Sequence, residues 1–446
     1  MRLVLPFTAC VAFALALLAA AGKPDPRGQW GQWRGPLGTG VGPTATPPLT
    51  WAEDKNVRWK RELPGKGHST PVVWGERIFV TTAVPHGDAV PVDESHESHG
   101  AHDNVTSIRA QRFVVLALAR KSGEILWERT VHDARPQEST HATGSWASAS
   151  AATDGEVLVA SFGSAGLYGF DLDGKPLWSV DLGQMRIKHG HGEGSSPVLH
   201  RGSVIVNWDH EAGSFLAVLD ARTGKERFRI ARDETTSWSS PLVVEHGGKP
   251  QVVVAATRRV RAYDLADGKL IWECGGLSDN VVASPVAADG FVYVGSSYEK
   301  RAMLAIRLDA ARGDITGTDA VAWTRDRDTP YVPSPVLLDG RLCFLKHYQG
   351  MLTCVDAQSG TTLFGPARLP GIENVYASPV AAAGRIYVLG HDGASVVLAS
   401  GKTLEVLAQN RLDDTFAASP ALVGSEMYLR GERFLYAIGE PAARPD

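Results

Sequence analysis

A serine–proline pair recurs along most of the chain and constrains the fold more than any other feature. The first copy is the variant Ser69-Thr70-Pro71, and a degenerate copy, Ala149-Ser150-Ala151-Ala152, follows it. The complete copies are Ser196-Pro197, Ser240-Pro241, Ser284-Pro285, Ser334-Pro335, Ser378-Pro379 and Ser419-Pro420. With Ser150 taken as the proline equivalent, successive anchors after it are 41 to 50 residues apart, and a longer first step indicates an insertion. A period of this length is typical of a propeller or a solenoid.

Each repeat unit has the pattern of four antiparallel strands. A short apolar strand follows the proline, and a turn such as Asp289-Gly290 leads to a second strand such as 291–294. Asp-Gly suits a tight hairpin because glycine accepts a positive φ. A third strand ends near an aspartate, and a second glycine turn precedes a fourth strand that carries an aromatic residue: Trp127, Trp178, Phe228, Trp272 or Phe364. Four-stranded units of this kind are propeller blades.

The two ends of the chain complement each other. The last unit supplies three strands, over about residues 418–438, whereas residues 56–61 resemble a fourth strand with no strands before it. We therefore predict an all-β, eight-bladed β-propeller of four-stranded antiparallel blades, closed by the N-terminal strand so that no blade lacks its edge strand. The expected organisation is a lead-in over 22–54, the propeller over 55–440 with a loop insertion at 85–112, and a tail over 441–446.

The first residues have the pattern of a cleaved signal peptide over 1–21. Arg2 precedes the apolar run 3–18, and Ala19-Ala20-Ala21 provides a cleavage site. No later stretch is long and apolar enough to span a bilayer. The sequence thus predicts a periplasmic or secreted protein. A formal net charge of -4 argues against a nucleic-acid partner.

Three cysteines remain after the predicted signal peptide: Cys274, Cys343 and Cys354. Cys343 and Cys354 flank the turn 347–350, which sets them roughly opposite one another on neighbouring strands. A cross-strand disulfide and a pair of small buried apolar residues both fit this placement.

The repeats resemble the pyrroloquinoline-quinone-type (PQQ-like) propeller repeat. Units of the form SPV…DG…W carry this resemblance over about residues 30–440, and Gln29-Trp30-Gly31-Gln32-Trp33-Arg34-Gly35-Pro36 resembles the lead-in of exported bacterial members. The resemblance implies the propeller fold. It leaves function open, because similar repeats build quinoprotein alcohol and glucose dehydrogenases and also a quinone-free scaffold of the outer-membrane barrel assembly machinery.

Histidines concentrate in the loops that a propeller places on one face, where strand four leads to the next strand one and strand two leads to strand three. His200 and His246 fall on the opposite face, and the other twelve of the fourteen histidines fall in or beside the shared-face loops. A metal site is one reading of this pattern, and a wet, polar channel mouth is the other. The candidate metal ligands are His189, His191, Glu193, Asp209 and His210.

Aromatic residues mark the same face and offer stacking partners for a planar cofactor, although packing between neighbouring loops is the favoured explanation. They are Trp146, Trp238, Tyr298, Tyr331, Tyr348, Tyr376 and Phe416. Arg258 and Arg259 could grip a carboxylate. If the chain binds PQQ with calcium, the candidate cofactor-binding residues are His68, Trp146, His191, His210, Trp238 and Arg258.

The insertion at 85–112 is polar and carries His86, His96, His99 and His102. The sequence is compatible with a lid, a metal-collecting loop or a simple solvated insertion, and the polar composition of this segment favours the solvated insertion.

Catalytic signatures are absent from the sequence. It contains no nucleophile elbow, phosphate loop or dinucleotide fingerprint, and it lacks the adjacent Cys-Cys pair typical of quinoprotein dehydrogenases. The sequence therefore favours a non-catalytic binding or scaffold protein that uses the histidine-rich face to engage a protein partner or a small ligand. A PQQ-dependent oxidoreductase is the alternative, and a metal-binding module is the third.

Overall fold

Eight four-stranded antiparallel sheets follow one another around a central channel, which confirms the predicted eight-bladed propeller. The computed structural model describes residues 24–91 and 103–440. The predicted signal peptide and tail, together with His96, His99 and His102, lie outside these residues. Apolar side chains of neighbouring blades pack against each other and form the core between the sheets.

Strand β1 (Val57–Glu62) precedes the blades along the chain. Blade one contains β2 (Val72–Trp74), β3 (Arg77–His86), β5 (Ala110–Ala119) and β6 (Ile125–Ala134), and blade two contains β8 (Ala152–Thr153), β9 (Leu158–Ser161), β10 (Leu167–Phe170) and β11 (Pro176–Val180). Blade three contains β12 (Val198–His200), β13 (Ser203–Trp208), β14 (Phe215–Asp220) and β15 (Glu226–Ala231), and blade four contains β16 (Leu242–His246), β17 (Lys249–Val254), β18 (Val260–Asp264) and β19 (Leu270–Cys274). Blade five contains β20 (Val286–Ala288), β21 (Phe291–Ser296), β22 (Ala302–Arg307) and β24 (Val321–Arg325), and blade six contains β25 (Val336–Leu338), β26 (Arg341–Leu345), β27 (Met351–Asp356) and β28 (Thr362–Arg368). Blade seven contains β29 (Val380–Ala382), β30 (Arg385–Leu389), β31 (Ala394–Ala399) and β32 (Val406–Arg411), and blade eight contains β33 (Ala421–Val423), β34 (Glu426–Arg430), β35 (Phe434–Ile438) and β1.

Three short strands lie outside this plan. β4 (Asn104–Val105) pairs with β7 (Thr140–His141), and β23 (Gly313–Asp314) pairs in parallel with β19 at the outer edge of blade four. Short 3-10 helices cover Pro26–Gly28, Gly163–Ala165 and Lys188–Gly190.

The N-terminal strand closes the ring as predicted. β1 pairs antiparallel with β35, with Trp59 opposite Ala437 and Glu62 opposite Phe434. The Trp59 indole also donates a hydrogen bond of 2.9 Å to the carbonyl of Arg120 in blade one. The strand therefore completes blade eight and ties it to blade one.

The fourth-strand tryptophans join neighbouring blades. Trp127, Trp178 and Trp323 donate from Nε1 to carbonyls of the next blade over 3.1, 2.8 and 2.9 Å. Each lies against a glycine of that blade, where a Cβ would come within about 2.7 Å of the ring. Trp272 also packs between blades, but its indole donates to Gln251 of its own blade. The recurring glycine is thus required by close approach as well as by its positive φ.

The recurring serines form a belt around the channel. At seven blade junctions the backbone N–H of one residue donates to the serine hydroxyl of the next blade over 2.8–2.9 Å, in the order Thr70, Ser150, Ser196, Ser240, Ser284, Ser334, Ser378 and Ser419. Ser150 occupies a serine position in this belt, so Ala151 is the proline equivalent. The register predicted from sequence was wrong by one residue there, because only the hydrogen bonds to the neighbouring blades define it.

Removing one hydroxyl of the belt should destabilise the ring locally. In Ser240→Ala the buried N–H of Ser196 loses its acceptor. We expect a loss of about 1–3 kcal/mol in the free energy of unfolding, measured by denaturant titration. Ser122→Ala, in an exposed turn, should change it by less than about 0.5 kcal/mol. Equal losses in the two variants would contradict the belt's role.

The lead-in crosses the opposite face and closes that end of the channel. Trp30 pairs with Val73 of blade one, and the N–H of Leu199 in blade three donates to the Gln32 side chain. Arg34, only 2% exposed, then donates to the carbonyls of Pro335 and Pro379 in blades six and seven over 2.6 and 2.9 Å. The lead-in therefore acts as a plug.

Candidate functional site

A cavity of about 650 Å³ occupies the channel mouth on the histidine-rich face. Trp33 of the lead-in belongs to its lining, and four belt serines line it deep in the channel: Ser196, Ser240, Ser378 and Ser419. Because the plug closes the far end, the cavity is a cup with an open rim. We call it the cup below.

Rings follow one another in an arc around the cup. Tyr298 stacks on Tyr331 and Tyr348 on Tyr376, with centroids 6.0 and 5.8 Å apart. His347 lies between the two pairs, 4.6 Å from both Tyr331 and Tyr348. At one end of the arc His391 lies 4.9 Å from Tyr376. The wall thus presents ring surface together with hydroxyl and imidazole groups.

The rings of His189, His191 and His141 continue the arc from Tyr298, and His141 and His191 line the cup. The ring of His191 lies 5.3 Å from that of His189 and 5.0 Å from that of His141. Burial lowers the pKa of His141, and burial together with the charges of the other two rings lowers the pKa of His191 to about 4. Burial also lowers the pKa of His68, at the cup wall, to about 3. The rings of His68, His141 and His191 are therefore neutral at pH 7.

Hydrogen bonds fix opposite tautomers in His141 and His191. The backbone N–H of Thr143 donates to Nδ1 of His141 over 3.1 Å, so the proton of the neutral ring lies on Nε2. The Asn104 amide donates to the carbonyl of His189, which turns its Oδ1 toward Nδ1 of His191 at 2.8 Å. His191 must donate there, and its Nε2 carries a lone pair.

The end of the insertion packs on the rim of the cup. β4 pairs with β7, the N–H of Ala142 donates to the carbonyl of Asp103 over 2.6 Å, and Arg135 donates to the carbonyl of Ser107. The interpretation of 85–112 as a merely solvated insertion is therefore wrong for residues 103–107. Composition could not indicate this contact, because its partners lie in a different loop, between β6 and β8.

A second cavity of about 190 Å³ lies beside the cup, and Glu193 lines both. Its carboxylate accepts from the backbone N–H of Ser164 over 2.7 Å and from the Ser164 hydroxyl. A Cβ at Gly163 would overlap the carboxylate, so glycine is required there. Burial raises the pKa of Glu193 to about 7, against the opposing effect of both hydrogen bonds.

The raised pKa of Glu193 predicts a specific pH dependence of stability. The folded protein holds this proton up to about pH 7, whereas the unfolded chain releases it near 4.5. The contribution of Glu193 to stability should therefore be greatest below pH 4.5 and decline until about pH 7, by up to roughly 3 kcal/mol.

Glu193→Gln removes this titration, which makes it the matched comparison. Between pH 4.5 and 7, the free energy of unfolding of the unmodified protein should fall relative to that of Glu193→Gln. Parallel pH profiles from denaturant unfolding would show that Glu193 titrates normally.

The structure does not gather the five candidate metal ligands around one point. Asp209 pairs with Arg232, Glu193 with Ser164, and both ring nitrogens of His210 are engaged, one by the N–H of Arg186 and one by the carbonyl of Gly213. Of the five side chains, the rings of His189 and His191 lie next to each other, with centroids 5.3 Å apart. Within residues 24–91 and 103–440 no group of three or more His, Cys, Asp or Glu side chains could hold a metal ion.

The six candidate cofactor-binding residues are divided in the same way. His68, His191 and Trp238 line the cup. Trp146 lines the second cavity and donates to the carbonyl of Glu138, and His210 lines neither cavity. Arg258 is exposed away from the cup. Its neighbour Arg259 pairs with Glu273 and Asp314 of this chain.

Three contributors to the cup were missed at the sequence level. Trp33 belonged to a lead-in motif with no assigned role, Asn104 lay in the insertion without a role of its own, and Glu299 carried no signal. The aromatic residues fared better: Trp238, Tyr298, Tyr331, Tyr348 and Tyr376 all line the cup, whereas Phe416 is buried in the core.

Comparison with known proteins places the repeats in a family. The family model described as outer membrane protein assembly factor BamB matches residues 111–365, more than half of the chain. The chain belongs to this PQQ_2 family. The resemblance to PQQ-like propellers seen in the sequence is thereby confirmed.

Solved structures similar to this PQQ_2 propeller share its fold at low sequence identity. BamB from Moraxella catarrhalis is 14% identical with a TM-score of 0.52, and the match covers 80% of this chain and 100% of that one. A quinohemoprotein alcohol dehydrogenase from Comamonas testosteroni is 10% identical with a TM-score of 0.61, covering 95% and 82%. These likenesses show the fold alone.

No curated protein matches the sequence. Among the described residues no helix is long and apolar enough to cross a membrane.

Proposed function

We propose that this PQQ_2 propeller is a non-catalytic binding protein whose binding site is the cup and its rim. The observation that carries the proposal is the chemistry of the cup wall. Its described lining contains tyrosines, neutral histidines, serines and the carboxylates Asp103, Glu193 and Glu299, with no lysine or arginine. Such a wall repels anions and suits a hydrogen-bonding ligand without negative charge.

PQQ does not fit this wall. The quinone is a planar tricarboxylate, and proteins hold such groups with arginine, lysine or a cation. The described lining offers only carboxylates as charged groups, and the described residues contain no cluster suited to calcium.

The cysteine pair agrees with a location of the protein outside the cytoplasm. Cys343 and Cys354 lie opposite each other on β26 and β27 and form a disulfide, the bond expected in the periplasm or outside the cell. The proposed location also rests on the signal-peptide pattern of residues 1–21.

A protein partner is the second candidate for the rim. Val90, Val105 and Ile108 of the insertion are 44–47% exposed beside the cup, and apolar side chains of this kind suit a protein contact. The proposed role is then that of a scaffold, as the family description suggests for its namesake.

Dye reduction tests the non-catalytic assignment. Protein incubated with PQQ and calcium should not reduce an artificial electron acceptor faster than protein-free controls, with primary alcohols or aldoses as substrates. Turnover above the control that disappears in Trp238→Ala, a change in the cup wall, would overturn the proposal.

A further inference from the structure

The fixed tautomers of His141 and His191 make the cup wall selective for a ligand group that both accepts and donates a hydrogen bond. Nε2 of His141 carries a proton and lies 3.8 Å from the Asp103 carboxylate, whereas Nε2 of His191 carries a lone pair, and the centroids of the two rings are 5.0 Å apart. A ligand atom that bridges the two Nε2 atoms accepts from His141 and donates to His191. A hydroxyl does both, a carboxylate cannot donate, and an ammonium group cannot accept.

The same tautomers argue against a metal at this point. A ligating imidazole needs a lone pair directed at the ion, and Nε2 of His141 has none while Thr143 donates to its Nδ1. The pair is therefore suited to hydrogen bonding.

Other groups nearby extend this preference to a ligand with several hydroxyls. Asp103 and Glu299 supply further acceptors at the cup wall and repel anions. Tyrosine rings supply ring surface on which the C–H groups of a sugar can pack.

We infer that the cup binds a neutral saccharide, with one hydroxyl bridging His141 and His191 and with Asn104 as the positioning residue that sets the His191 tautomer. The inference rests on the proposed function, because it names the ligand of the same site. A cup of about 650 Å³ accommodates a short oligosaccharide.

An array of neutral oligosaccharides, with uronic-acid oligosaccharides as anionic counterparts, tests the ligand class. The protein should bind neutral members and leave the anionic ones unbound. Binding should then be quantified by tryptophan fluorescence, because Trp33 and Trp238 line the cup.

Two variants test the residues. Asn104→Leu removes the acceptor of His191, and His141→Phe removes the donor together with its 3.8 Å contact to the Asp103 carboxylate. Each should weaken binding of the array's best neutral oligosaccharide by about tenfold or more. Lys121→Gln, an exposed turn residue that does not line the cup, should bind as the unmodified protein does.

Imidazole ¹⁵N NMR of the full chain separates positioning from simple structural damage. The spectrum should show Nδ1–H for His191 and Nε2–H for His141, and Asn104→Leu should shift only the His191 tautomer equilibrium.

The outcomes are distinguishable. Failure of every neutral oligosaccharide to bind, with PQQ also unbound, would overturn the saccharide inference and leave the proposed function standing. Saturable PQQ binding would overturn both. Saccharide binding that survives both Asn104→Leu and His141→Phe would overturn the assignment of the hydroxyl to this pair.

Discussion

Arg232→Met is expected to destabilise the protein by about 3–5 kcal/mol, because it leaves a carboxylate buried without its counter-ion. Arg232 and Asp209 have fully buried side chains and form two hydrogen bonds of 2.8 and 3.0 Å. Tyr263 and Ser237 complete the network. Burial opposes the charge on Arg232, but Asp209 and Tyr263 outweigh it and raise the pKa of the guanidinium.

A double-mutant cycle measures this pair. Arg232→Met combined with Asp209→Leu should recover much of the loss, since no charge then remains unpaired. Arg258→Met, an exposed arginine of the next blade, is the control and should change stability by less than about 0.5 kcal/mol. A loss below about 1 kcal/mol in the free energy of unfolding of Arg232→Met would contradict a structural role for this pair. Asp209 would then again be a candidate metal ligand.

Removal of residues 1–62 should abolish the single cooperative unfolding transition. This deletion takes away β1, which pairs with β35 and ties blade eight to blade one. We expect a loss of at least about 5 kcal/mol, comparable with the whole stability of many domains. The unpaired edge of β35 should also promote self-association, visible by light scattering.

Two shorter deletions separate the contributions. Removal of residues 1–23 should leave the melt unchanged, and removal of residues 1–50 takes the plug but keeps β1. If the variant without residues 1–62 melts like the variant without 1–50, the closing strand is not what holds the ring.

The sequence predicted the blades because their signals are local. Asp-Gly turns, alternating strands and one aromatic residue per fourth strand repeat within each unit. The complementary ends, residues 56–61 and 418–438, were enough to predict closure. The belt register at Ser150 could not be predicted, because each belt hydrogen bond joins residues of different blades.

The site was predicted only in outline. Loop topology correctly placed His68, His141, His191 and His347 on one face, and the structure shows all four in the cup wall. It could not show side-chain direction, so Asp209 and Arg258 were grouped with residues they do not meet. Asn104 was beyond reach because its contacts with His189 and His191 depend on the fold of two distant loops.

Titration of the purified protein with PQQ, with and without calcium and followed by absorbance, tests most directly whether the cup is built for a ligand without negative charge. The account predicts no saturable change up to about 100 micromolar quinone in either condition. Saturable, stoichiometric binding that Trp238→Ala weakens would contradict it and identify the cup as a quinone site.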